Sequence, residues 1–175
     1  GTTILGIVLS MHADVAFLNE PKALWNSVFP SEDLIGSYSR GAARYELFAE
    51  DATQAQIQHI RNIYGFYLST VFSKRALDKY PELIFRMELV KKIFPDYKAI
   101  FLYRNGWDTC LSSANWSDEK GEVVNNEQHD WWGVNNRKWN LLVDQLVTKD
   151  DDLKNHVDVI RSFNNQVDMS IVEWI

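Results

Sequence analysis

Between Arg75 and Arg104 the chain reads RALDKYPELIFRMELVKKIFPDYKAIFLYR, and no other stretch limits the fold so tightly. RALDK has the length and composition of a short strand. Pro81 suits the first turn of a helix, and the residues after it repeat their apolar positions at helical spacing. KAIFLYR is a continuous apolar run, the pattern of a strand covered on both faces. Upstream, GTTILGIVLSMH reads as a buried helix and VAFLN as a strand that stops ahead of Pro21, whose ring removes a ladder donor. Alternation of this kind predicts an α/β domain of three layers, a mainly parallel sheet flanked by helices, with strands near 15–19, 74–78 and 98–103. Ligands of such sheets bind at the carboxyl ends of the strands, where Glu20, Lys79 and Arg104 fall.

The remaining segments are less constrained. TQAQIQHIRNIYGFYLSTVF begins with Thr53 and Gln56 in capping-box spacing and carries Ile57, Ile60, Tyr64, Tyr67, Leu68 and Val71 on one helical stripe. Residues 22–51 have Gly, Pro and Ser punctuation and no sustained period, as in a long loop with short elements that shapes a pocket. After Trp116 we expect a polar loop over SDEKGEVVNNEQHD, a helix in WWGVNNRKWNLLVDQLVT, and an acidic turn followed by a strand in KDDDLKNHVDVIRS. Trp139 is spaced to pack with Leu142 and Leu146. Trp131 and Trp132 are either core or walls of an acceptor pocket.

Composition narrows the chemistry. With 175 residues and 46% apolar content the chain can build one sizeable domain with a real core. A net charge of −6 gives no general attraction to nucleic acid or to anionic membranes, so an anion site must be a local cluster of positive groups. Cys110 is the single cysteine, which excludes an internal disulfide and a thiolate zinc cluster, and the four histidines lack metal-ligand spacing. The apolar run Ile4–Met11 is too short to span a membrane. No segment addresses the chain to a compartment, and none specifies an oligomeric state.

Two features suit an anion. Gly1, Thr2 and Thr3 at a helix start offer free N–H groups, two hydroxyls and the positive end of the helix dipole; the plainer reading is a threonine cap. Arg104 at a strand end and Ser112 about two turns into the next helix can together grip a phosphate, or Arg104 can pair with Asp108 instead.

GTT opening a helix, then FLNEP, then LDKYPELIFRMELVKKIFPDYKAIFLYRNGWDTCLSS together resemble the sulfotransferase family that uses 3'-phosphoadenosine 5'-phosphosulfate (PAPS), in its broad bacterial and carbohydrate-type branch. The matching runs cover roughly residues 1–25 and 74–116. The resemblance implies a P-loop-like fold and PAPS as donor, with no metal. It implies that Gly1, Thr2 and Thr3 hold the 5'-phosphosulfate and that Arg104 and Ser112 grip the 3'-phosphate. Glu20 becomes the base that takes the acceptor proton, and Lys79 the cation that stabilises the sulfate and the bridging oxygen; partnership with Lys22 or Lys79 is the structural alternative for Glu20. Pro81 stands where the family's cytosolic branch has a histidine. The implied acceptor is a hydroxyl or amine of a carbohydrate or small molecule.

Some of the family pattern lies outside the chain: the basic residue expected two positions before Gly1 and the strand before it. The expected single domain over 1–175 is therefore incomplete. Near residue 161 the family's wording is only echoed by VIRSFNNQ. Two other functions fit the same anion features. One is a non-catalytic domain that binds 3'-phosphoadenosine 5'-phosphate (PAP). The other is a P-loop phosphotransferase, for which GTT lacks the lysine.

Overall fold

Val15–Asn19 (β1) and Arg75–Lys79 (β2) lie parallel, with Val15 opposite Arg75 and Asn19 opposite Lys79, in a computed structural model that describes residues 1–175. Both strands fall where alternation predicts them, and they belong to the first of two compact units, formed by Gly1–Glu32 and Glu46–Leu102. Thr2–Ser10 forms α1, which folds back onto β1 through a short turn. Gly6 makes that contact possible: a Cβ there would meet Phe17 Cζ at 2.3 Å. Gly6 is also the only buried residue of α1, while Ile4, Ile7 and Val8 are exposed. The expected buried helix thus forms, but it buries one narrow face.

The core of this unit gathers on the far side of the strand pair. Lys22–Val28 (α2) contributes Trp25 and Val28, Gln54–Thr70 (α3) contributes Ile57, Ile60 and Tyr64, and Met87–Ile93 (α4) contributes Leu89, Val90 and Ile93. Helix α3 starts as its sequence predicts. Thr53 Oγ1 accepts from the Gln56 N–H at 3.2 Å, and Gln56 Oε1 accepts from the Thr53 N–H at 3.0 Å. Of its stripe, Tyr67 and Leu68 are half-buried and Val71 is exposed, because the last turn runs past the core. Pro81 opens a 3-10 segment, Pro81–Arg86, and the α-helix proper begins only at Met87.

Lys98–Arg104 does not form the expected strand. Its backbone makes no hydrogen bond, and Ile100, Phe101, Leu102 and Tyr103 are exposed. An apolar run becomes a strand only where a neighbouring edge accepts its N–H and C=O groups, and β1 and β2 pair only with each other.

The second unit comprises Asp33–Tyr45 and Tyr103–Ile175. Its frame is Gly106–Lys120 (α5), joined to a C-terminal helix by the Ser113 and Ser170 hydroxyls at 2.5 Å. The segment expected as a polar loop instead forms the end of α5 and an antiparallel pair, Glu122–Val124 (β3) and Glu127–Asp130 (β4); a third strand, Gly133–Val134 (β5), takes the start of the region expected to be helical. Asn125 and Asn126 both have positive φ, 52° and 66°, as a tight two-residue hairpin turn requires. The sheet content is therefore one parallel pair and one antiparallel meander, not a mainly parallel sheet. Gly133, at φ 77°, lets β5 reach the backbone of Ile35, where a Cβ would come within 2.6 Å of Ile35 Cα.

Arg137–Leu142 (α6) continues into a π-helical turn, Val143–Val147, within the region expected to be helical. Val157–Arg161 (α7) is a helix where a strand was expected, and Gln166–Trp174 (α8) closes the chain. Trp139 is buried, as a packing role requires, and its ring contact is with Trp132, edge-on with centroids 5.4 Å apart. Trp132 is fully buried, which removes it as a pocket wall. Lys138 is buried beside these rings and pairs with Glu173 at 2.5 Å. The result is a mixed α/β structure in which each unit has its own small sheet.

Candidate functional site

The carboxyl end of the parallel pair is where the first unit concentrates its charge. β1 ends at Asn19, and the Glu20 N–H still reaches the Lys79 carbonyl at 2.7 Å, so both residues sit level at the strand ends. Glu20 takes a left-handed backbone with φ 52°. Pro21 follows at φ −76° and ψ 55°, an inverse γ-turn closed by the Lys22 N–H on the Glu20 carbonyl at 2.7 Å. The chain therefore reverses within three residues and returns the Lys22 side chain towards Glu20. Lys79 Nζ donates to Glu20 Oε1, and Lys22 Nζ lies 3.7 Å from Glu20 Oε2. The Glu20 side chain keeps 36% of its surface exposed, while Lys79 keeps 13%. A carboxylate open to solvent and backed by a sheltered ammonium can accept a proton from an incoming group while the cation faces developing negative charge.

The fourth member of this charge cluster, with Glu20, Lys79 and Lys22, is Glu82, which the sequence did not single out. Its Oε1 lies 3.7 Å from Lys22 Nζ. Beneath lies a buried set in which Glu32 Oε2 accepts from the Tyr80 hydroxyl at 2.5 Å and from Arg86 at 2.9 Å. Burial raises the Glu32 carboxyl above its usual range despite both donors, and it likewise raises the Tyr80 hydroxyl. Glu32 is 1% exposed, so no substrate proton can reach it. His12 is exposed at the opposite, N-terminal end of β1, where its Nδ1 accepts from the Asp14 N–H at 3.1 Å.

Gly1, Thr2 and Thr3 stand at the N-terminus of α1. Since α1 runs back along β1, this helix start lies towards the strand's carboxyl end, the end that carries Glu20 and Lys79. Gly1 is the N-cap and no side chain caps the helix. The Thr2 and Thr3 side chains are exposed and bond to nothing within the protein, so the threonine-cap reading does not hold. Free N–H groups and hydroxyls at a helix start are chemically suited to a sulfate or phosphate.

In the second unit, Arg104 directly precedes Asn105, whose side chain caps α5 by accepting from the N–H groups of Trp107 at 2.9 Å and Asp108 at 3.4 Å. Arg104 is thus placed by a helix cap rather than by a strand end. It forms no ion pair with Asp108. Arg104 and Ser112 line one groove of about 420 Å³ together with Asp108, Leu111, Asn115, Trp116 and Glu119. An unpaired guanidinium and a free hydroxyl suit a phosphate there, while Asp108, one turn before Ser112 on the same face of α5, and Glu119 suit hydroxyl or amino groups rather than a second anion. Trp116 meets Trp131 edge-on at 5.9 Å, and Trp131 donates its indole N–H to Glu173 at 3.1 Å. No group of side chains is arranged to hold a metal ion, and no helix is long and apolar enough to cross a membrane.

No curated protein and no solved structure matches the chain. The profile of the sulfotransferase family does, over residues 1–159, a span that includes α1, the charged ends of β1 and β2, and the Arg104–Ser112 groove. A match over most of the chain, on the segments that carry these groups, establishes that the protein belongs to the sulfotransferase family.

Proposed function

We propose that the protein transfers a sulfuryl group from PAPS to a hydroxyl or amine of a carbohydrate or other small acceptor. The observation that carries this reading is the sulfotransferase family match over residues 1–159; beside it, Glu20 pairs with Lys79 at adjacent strand ends, an arrangement shared with the structural alternative, but keeps its carboxylate partly open to solvent. PAPS, when bound, supplies the sulfuryl group and a phosphate leaving group. Gly1, Thr2 and Thr3 bind its 5' end through helix N–H groups and hydroxyls, and Arg104 and Ser112 bind its 3'-phosphate. Glu20 accepts the proton of the attacking hydroxyl as the new S–O bond forms. Lys79 stabilises the oxygen of the S–O bond that breaks, and PAP departs with the electron pair. We further propose that the chain functions as one sulfotransferase domain with the three-layer, P-loop-like architecture of its family.

Calorimetry with PAP and a screen of sugars, lipids and phenols with labelled PAPS test the two halves separately. PAP binding with label transfer is the expected result. Binding without transfer to any acceptor would indicate a nucleotide-binding domain without turnover, and absence of both would remove the reading. Glu20→Gln is expected to lower turnover by about a hundredfold to ten-thousandfold while PAP affinity stays nearly unchanged.

A further inference from the structure

Glu20 has two lysines, and its proposed chemistry leaves only one of them free to hold it. Lys79 donates to Glu20 Oε1, yet the same ammonium must turn to the sulfuryl oxygen and leaving group during transfer. Lys22 sits on the other carboxylate oxygen, 3.7 Å from Oε2. It is equally far, 3.7 Å, from Glu82 Oε1, and its ammonium lies 5.8 Å from the centre of the Tyr80 ring. Glu82 itself is sheltered and under-satisfied: its side chain is 12% exposed, and its Oε2 is buried with no hydrogen-bond partner. Such a carboxylate is costly to leave unpaired and holds Lys22 at its post. The inverse γ-turn at Pro21 fixes the backbone between Glu20 and Lys22, so their separation changes little when Lys79 moves.

We propose that Lys22, anchored by Glu82 and Tyr80, is the positioning residue that keeps the Glu20 carboxylate aimed once Lys79 engages the transferred group. The proposal rests on the sulfotransferase reading. Lys22 touches neither donor nor acceptor; it closes from 3.7 Å onto Glu20 as Lys79 withdraws, so the base stays oriented for the acceptor proton.

Two measurements separate this proposal from the reading beneath it. The first needs no donor: a crystal structure of Lys79→Met, which removes the competing ammonium. Lys22 Nζ within hydrogen-bond distance of Glu20 supports the proposal; Glu20 turned to solvent with Lys22 on Glu82 alone overturns it. The second uses labelled PAPS as probe, with sulfate release to water as readout, and PAP affinity as control. Lys22→Met and Glu82→Gln should each lower the release rate by about tenfold with PAP affinity unchanged, and Lys22→Arg should restore most of the rate. Unchanged rates in both variants, or an equal loss of PAP affinity, overturn the positioning role. If the wild-type protein neither binds PAP nor releases sulfate, the sulfotransferase reading fails and the proposal with it, whatever the Lys79→Met structure shows.

Discussion

Asp78 shows at the residue scale how the charged strand end is kept apart from the core. Its Oδ2 accepts from the Trp25 indole at 2.9 Å and from the Tyr64 hydroxyl, while its Oδ1 is buried without a partner. Burial outweighs both donors and raises the carboxyl above its usual 3.8; the same burial, with the Asp78 charge, raises the Tyr64 hydroxyl. The folded protein therefore binds this proton more tightly than the unfolded chain does. Stability from Asp78 is fully present below about pH 3.8 and falls as pH rises towards the folded value. Urea unfolding of Asp78→Asn should accordingly show a stability difference from wild type that moves in the variant's favour from pH 4 to pH 7. A constant difference would mean that Asp78 titrates normally. In the proposed donor groove, Arg104→Ala should weaken PAP binding by about 2 kcal/mol or more, read by calorimetry, if the guanidinium meets the phosphate directly.

Elements differ in how clearly the sequence announces them, and the reasons are physical. β1, β2 and α3 are legible because each carries its own punctuation: Pro21 after one strand, Pro81 after the other, and the Thr53–Gln56 box before the helix. The β3–β4 hairpin is hidden because its turn is Asn125–Asn126 rather than the stronger Asn-Gly signal, and because its strands are exposed and polar. Lys98–Arg104 misleads for the opposite reason, since apolarity specifies burial but not the partner that a strand needs. The level placing of Glu20 and Lys79 at neighbouring strand ends was readable from the strand pattern, whereas Arg104, expected at a strand end, instead precedes the cap of α5. The Glu82–Lys22 link was not readable, because it depends on a turn geometry that spacing cannot reveal. Two substitutions test these elements. Thr53→Ala should cost about 1 kcal/mol of stability through the lost cap. Gly6→Ala should cost about 1–3 kcal/mol by driving a methyl into the Phe17 ring, with thermal unfolding as the measurement for both.

For the whole molecule, the formal charge of −6 works against the ligand that its site is proposed to bind. PAP is itself strongly anionic, so the long-range field repels it, while at short range the proposed contact with Arg104 would attract it. Salt screens the long-range part first. Stopped-flow measurements should therefore find that moderate salt speeds PAP association and also speeds its dissociation, two changes that a uniformly basic cleft would not produce together. If association slows with salt instead, the local cations dominate the approach as well as the bound state.

If Glu20 is the base, as proposed, its left-handed backbone sets activity and durability against each other at one position. A non-glycine residue at φ 52° costs on the order of 1 kcal/mol or more, a cost that glycine escapes. Selection for stability alone would accordingly favour glycine here, and a glutamate persists only where its carboxylate is worth the strain. Glu20→Gly should be more stable than Glu20→Ala by about 1 kcal/mol, reversing the usual order of those two residues. On that proposal, a lineage that had given up turnover would drift to glycine at this site, and the residue found there would mark retained catalysis among relatives of this chain.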